Sequence, residues 1–142
     1  MSDPDYPAWL DLVWVSVDAR GRLGAFATGG QGPIAVSAFL ASEQVGDWLD
    51  SLPDRSATKH GAAEAFSIYA RKGLFAFDWS DVHRTSDWLD AYELMAAPME
   101  PLLIDQIPVT VAKFIARTTL DIDLEQCPTL DPRQFISCHV AN

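Results

Sequence analysis

Residues 12–18 (LVWVSVD) form a run rich in β-branched side chains, Ala19-Arg20-Gly21 follows, and 23–28 (LGAFAT) resumes an apolar run. A chain that opens this way must build a sheet. β-Branched residues suit a pleated, half-buried surface, and the short Gly-containing connection suits a tight reversal, so two antiparallel strands are predicted. Thr28-Gly29-Gly30-Gln31-Gly32-Pro33 then breaks the pattern, because glycine tolerates positive φ and proline cannot donate to a ladder. The next apolar stretch, 34–40, reads equally as a third strand or as the approach to a helix.

From Ser42 the period changes. Val45, Trp48, Leu49 and Leu52 recur at i, i+3, i+4, i+7, with Glu43, Asp47 and Asp50 on the other side, so a helix over 42–52 is predicted with Ser42 as N-cap and Pro53 as its stop. A second helix is predicted over 62–72, where Phe66, Tyr69 and Ala70 share a face and Gly73 takes the C-terminal position. Residues 74–79 (LFAFDW) and 92–97 (YELMAA) read as strands. Asp105 is the predicted cap of a third helix that carries Pro108 in its first turn and an apolar stripe of Ile107, Val111, Phe114 and Ile115. Over 119–125 (TLDIDLE) apolar and polar residues alternate strictly, which predicts a half-buried strand with Asp121, Asp123 and Glu125 on its solvated face.

Helices and strands mix here without a regular βαβ order. The expected class is therefore α+β, a single domain over 1–142 with a mostly antiparallel sheet, an N-terminal hairpin and about three helices packed on it. A doubly wound parallel sheet ranks second. The 49% hydrophobic content over 142 residues is enough for a real core, and the five Trp and seven Phe exclude a disordered acidic tail.

Charge narrows the partners. Twenty acidic against ten basic residues give a net charge of −10, which opposes contact with a phosphate backbone, so nucleic acid is not an expected partner. The N-terminus lacks the basic and apolar regions of a secretory signal, and the long uncharged stretch 23–42 is broken by glycines and Pro33, so a cytoplasmic protein with no membrane span is expected. Cys127 and Cys138 are too few and too far apart for a disulfide scaffold or a zinc site, and both are expected as reduced thiols.

No motif supplies catalytic residues. The glycine-rich loop at 28–33 lacks the Gly-Lys-Ser/Thr end of a phosphate cradle, and Ser37, Ser67 and Ser137 sit in no nucleophile elbow. Nothing links His60, His83 or His139 to a nucleophile. Asp78, Asp81 and His83 fall within six residues and have the chemistry of metal ligands, but an Asp-rich strand exit explains them more simply, so no metal and no cofactor are expected. The row Asp121, Asp123, Glu125 is read as a solvated strand face rather than a carboxylate cluster for acid–base work.

The aromatic residues carry more information. Trp14, Phe26, Phe75 and Phe77 fit strands and Trp48 and Phe66 fit helix stripes, so these belong to the core. Trp79 and Trp88 instead flank an acidic stretch: residues 78–105 hold seven acidic residues against one basic. The stretch reads equally as a merely soluble acidic surface or as an interface in which an exposed Trp among carboxylates anchors a partner; on the second reading Trp79, Asp81, Asp87, Trp88 and Asp90 form the candidate partner-binding surface.

The run from Trp14 to Asp18, Gly21, residues 23–26 (LGAF), Thr28-Gly29-Gly30, Gly32-Pro33-Ile34 and, much later, 92–96 (YELMA), Pro98 and Pro101-Leu102 resembles a group of small bacterial proteins of unassigned activity. Some members of such groups resemble immunity proteins of polymorphic toxin systems. Together with the small size, the acidity and the absence of catalytic motifs, the resemblance implies a non-enzymatic binding protein that neutralises a basic toxin domain, and it carries over no catalytic residues. The alternative is a small ligand-binding domain or enzyme of unknown reaction, with Asp78, Asp81 and His83 as its polar candidates.

Overall fold

The computed structural model describes residues 6–7, 11–58, 64–79 and 90–141. Strand β1 (Val13–Val17) turns back on β2 (Leu23–Ala27) in the expected antiparallel hairpin, with Trp14 opposite Phe26 and Ser16 opposite Gly24. The reversal closes where the Asp18 N–H donates to the Arg22 carbonyl at 2.8 Å, and Gly21 takes a φ of 81° that a side chain would resist. β2 then pairs in parallel with β4 (Phe75–Trp79), β4 pairs antiparallel with β5 (Tyr92–Ala96), and β5 pairs antiparallel with β6 (Thr129–Leu130). The order is β1-β2-β4-β5-β6, a mostly antiparallel sheet in an α+β fold.

A parallel pair needs a long crossover, and the chain between β2 and β4 supplies it. The open reading of 34–40 resolves into both of its alternatives. β3 (Ile34–Ala35) pairs with β7 (Cys138–His139), and α1 (Val36–Leu40) follows at once. α2 (Ser42–Ser51) and α3 (Glu64–Arg71) lie where periodicity places them, the first ending at an extended Leu52 before Pro53 and the second at Gly73, whose φ is 102°. α4 (Val109–Ile115) completes four α-helices among the described residues, one more than expected.

Three local expectations are corrected. Ser42 does not cap α2; it is the first helical residue, because α1 and α2 are separated only by Ala41, whose carbonyl takes the Val45 N–H at 3.0 Å. Asp105 does not cap α4 either. It sits in a separate 3-10 turn (Ile104–Gln106) closed by the Leu103 N–H to Gln106 Oε1 bond at 2.9 Å, and Pro108 occupies the cap position, its carbonyl accepting from Val111 and Ala112. The third correction is the strand over 119–125. Only Thr119 bridges the sheet, beside Val17, after which the chain curls into a 3-10 turn (Leu124–Gln126). Its alternation is real, since Leu120 and Leu124 are fully buried, but a pinned turn satisfies that burial without a ladder.

The sheet divides the core in two. On one face, Val15, Val17, Leu23, Ala25 and Leu74 pack against Val45, Trp48 and Leu49 of α2 and Ile115 of α4, and Ala76 and Ala96 lie under Ala70 of α3. On the other, Trp14, Phe26, Phe75, Phe77, Trp79 and Tyr92 are covered by Tyr6, Ile34, Leu120, Leu124 and Leu130. Trp14 stacks on Phe26 at 4.5 Å between ring centroids, Phe26 on Phe77 at 4.7 Å, and Tyr92 meets Phe26 edge-on at 5.2 Å. α2, α3 and α4 thus cover one face, and turns, short strands and α1, whose Ala38 joins the second cluster, cover the other.

Candidate functional site

Trp79 lies at the end of β4 on the face that Phe75 and Phe77 also occupy, and the period of two along a strand sends its ring inward. It is 4% exposed, so the expectation of an exposed anchor is corrected: Trp79 is core. Its ring meets Tyr92 edge-on at 5.1 Å, and the Arg133 guanidinium lies over it at 5.6 Å. Gly32 packs directly against it. A Cβ added at Gly32 would come within 2.7 Å of Tyr92 Oη and 3.0 Å of Trp79 Cβ, which is why no side chain fits there.

Asp90 is exposed, as expected, at a φ of 50° just before β5. Arg133 donates to its carboxylate at 3.0 Å and to Asp131 at 2.8 Å, and these two acids, Asp131 foremost, hold the guanidinium above its ordinary range. Asp81, Asp87 and Trp88 lie outside the described residues, as do His60 and His83. The candidate partner surface is therefore described only at its two ends, Trp79 below and Asp90 at the rim. Among the described residues no group of three or more His, Cys, Asp or Glu is placed to hold a metal ion.

A polar cluster that sequence reasoning missed stands at the hairpin. Asp18 is 3% exposed; its Oδ1 accepts from the Arg20 and Arg22 N–H groups, both at 2.8 Å, and its Oδ2 accepts from the Leu124 N–H at 3.0 Å. Arg22 lies beside it, Nε 3.6 Å from Oδ2, and reaches Asp123 and Glu125 at 2.8 Å each. Two of the three acids assigned to a solvated strand face are thus held by one guanidinium. With its oxygens committed to backbone donors, Asp18 ties the hairpin to the 120–126 segment.

The Gly-rich loop is likewise occupied with itself. Thr28 Oγ1 accepts from Leu12 and Gly30, the Thr28 carbonyl accepts from Gln31 and Gly32, and the Gly29 N–H donates to Asp11, so the loop is a turn as read. Cys127 and Cys138 are free thiols. Burial pushes the Cys138 thiol up to about 11 and raises Cys127 as well, which keeps both protonated and poor nucleophiles near neutrality. The cleft among α1, α2, α4 and β1, lined by Val15, Ala41, Val45 and Ile115, has room for about one water molecule.

Two buried groups have measurable consequences. Ser16 Oγ is fully buried with no hydrogen-bond partner among the described residues, so Ser16→Ala should raise stability by about 1 kcal/mol, seen as a higher denaturation midpoint at unchanged slope. The three tyrosines supply the second. Tyr92 Oη accepts from Trp14 Nε1 at 3.2 Å and donates to the Pro33 carbonyl at 2.8 Å, and Tyr6 Oη donates to the Gly32 carbonyl at 2.6 Å. Burial pushes Tyr6 up to about 12 and Tyr92 well above the ordinary value, and burial followed by Asp50 and Asp11 raises Tyr69. Between the ordinary value of 10.0 and about 12 the folded state binds more protons than the unfolded one, so stability is intact below pH 10 and falls as pH rises through that window. The tyrosinate absorbance of Tyr6 and Tyr92 should therefore lag behind free tyrosine and appear together with the loss of circular dichroism; titration of all three tyrosines near 10 in a folded chain would contradict the burial.

Six exposed carboxylates, Glu43, Asp47, Asp50, Glu100, Asp105 and Asp121, have no ion pair among the described residues. No described helix is long and apolar enough to cross a membrane. Compared with known proteins, the chain matches no family model, no curated protein and no solved structure.

Proposed function

We propose that this protein is a cytoplasmic, non-enzymatic binding protein that captures a basic protein domain, in the manner of an immunity protein neutralising a toxin. The observation that carries the reading is the net charge of −10, with seven acidic residues against one basic over 78–105. A field of that sign accelerates encounter with a positively charged partner and repels nucleic acid. The contact surface is the acidic stretch between β4 and β5, with Asp81, Asp87, Trp88 and Asp90 as its contact residues. Trp79 supports that surface from within the core.

The test is an association rate. With the purified basic domain whose toxicity the protein relieves, D81N/D87N/D90N should associate roughly tenfold more slowly at low salt and show a flatter dependence on ionic strength. Unchanged rates in that variant would remove this surface from the contact.

A further inference from the structure

α2 and α4 lie together over the β1–β2 end of the sheet, and α1, whose Ala38 joins the cluster on the other face, touches both of them beside β1. α2 buries Val45, Trp48 and Leu49 and turns Glu43, Asp47 and Asp50 outward at i, i+4, i+7. Lys113 of α4 and Arg117 just beyond it, one turn apart, are exposed on the neighbouring element. Both cations lie over the Phe114 ring, at 5.4 Å and 5.2 Å, and neither meets a carboxylate among the described residues. That is unexpected in a chain with twice as many acids as bases, where Arg20, Arg22, Arg71 and Arg133 all hold carboxylates. One helical layer thus carries an acidic stripe and a basic pair that do not satisfy each other within the chain.

The touching helices α1 and α4 carry the two most exposed large apolar side chains described, Leu40 at the end of α1 (78%) and Val109 at the start of α4 (80%). We propose that this face is a homodimer interface in which α2 of each copy lies against α4 of the other. A twofold axis between the helices makes the contact self-complementary, so the pairing of acidic stripe with basic pair occurs twice per dimer, once for each stripe, while Leu40 and Val109 leave water. A standard interface takes about 800 Å² per partner, roughly a tenth of the 7337 Å² surface, which a three-helix face can provide. The inference concerns the helical layer alone and does not rest on the immunity reading.

Sedimentation velocity on the full chain over a wide concentration range tests it. The wild type should show a monomer–dimer equilibrium that weakens at least about tenfold from low to high salt, because its charge pairs are at the rim. K113E/R117E should dimerise at least about tenfold more weakly than the wild type, and so should E43K/D47K. An equimolar mixture of these two variants should recover a heterodimer, since each then offers the charge the other lacks. All four positions are exposed, and circular dichroism establishes that each variant is folded before mixing. A wild type that stays monomeric at every concentration in low salt, a dimer indifferent to salt or to K113E/R117E, or a mixture of folded variants that stays monomeric would each overturn the proposal.

Discussion

Asp18→Ala should lower stability by about 3–5 kcal/mol, the largest effect expected of any polar substitution in this chain. The carboxylate is buried, and its removal strands the Arg20, Arg22 and Leu124 N–H groups that it accepts from. Arg22 would keep Asp123 and Glu125 but lose the partner at its Nε, and the hairpin would lose its tie to the 120–126 segment. In a domain of this size the melting temperature should fall by about 10 °C or more. Asp18→Asn keeps an acceptor for the two hairpin N–H groups and loses the charge, so it should cost less than Asp18→Ala. Thermal unfolding of both variants checks this. Equal, small losses would mean that Asp18 does not bridge the hairpin to the distant segment.

Trp79→Ala should cost about 3–5 kcal/mol as well, through the cavity that opens between Tyr92 and Gly32 and the transfer energy of the lost ring. The same substitution separates two roles for this residue. A Trp that met a partner from the surface would leave the melting temperature of the free protein almost unchanged and weaken only binding. A Trp that is 4% exposed must destabilise the free protein, and Trp79→Phe, which keeps part of the ring, should cost clearly less. Chemical denaturation of the two variants without any partner distinguishes these roles.

The contrast between these two residues shows which parts of the molecule were legible in the sequence. The hairpin, α2, α3, β4 and β5 are announced by signals a few residues long, such as the Val-rich run before Gly21, the i, i+3, i+4, i+7 stripe from Val45 and the glycine at 73. These follow from propensity and local sterics, and the α+β class follows from them. Long-range pairings carry no such signal. Nothing in 23–27 marks it as the parallel neighbour of 75–79, and nothing at Asp18 marks Leu124 as its partner, 106 positions away.

Where local signals misled, a neighbour altered their meaning. Ser42 and Asp105 have side chains suited to caps, but Ala41 and Pro108 occupy the cap positions because a preceding helical turn runs into each helix. The alternation at 119–125 recorded burial correctly and backbone incorrectly, since Arg22 and Asp18 gather that segment into a turn. At Trp79 the acidic sequence neighbours point outward, but the strand period that links it to Phe75 and Phe77 decides its burial. Of the candidate surface, the acidity and the exposure of Asp90 were legible. The Arg133 clamp on Asp90 was not, because it joins residues 43 positions apart.

The most direct test of the proposed role is growth. Genes adjacent to the one encoding this protein would be expressed singly in a naive host, each with and without it, and growth followed. A neighbour that arrests growth alone and is harmless when this protein is present is the expected result, and it also supplies the basic domain needed for the association measurements. A toxic neighbour whose effect is unchanged by this protein, or a set of neighbours with no toxicity at all, would contradict the immunity role.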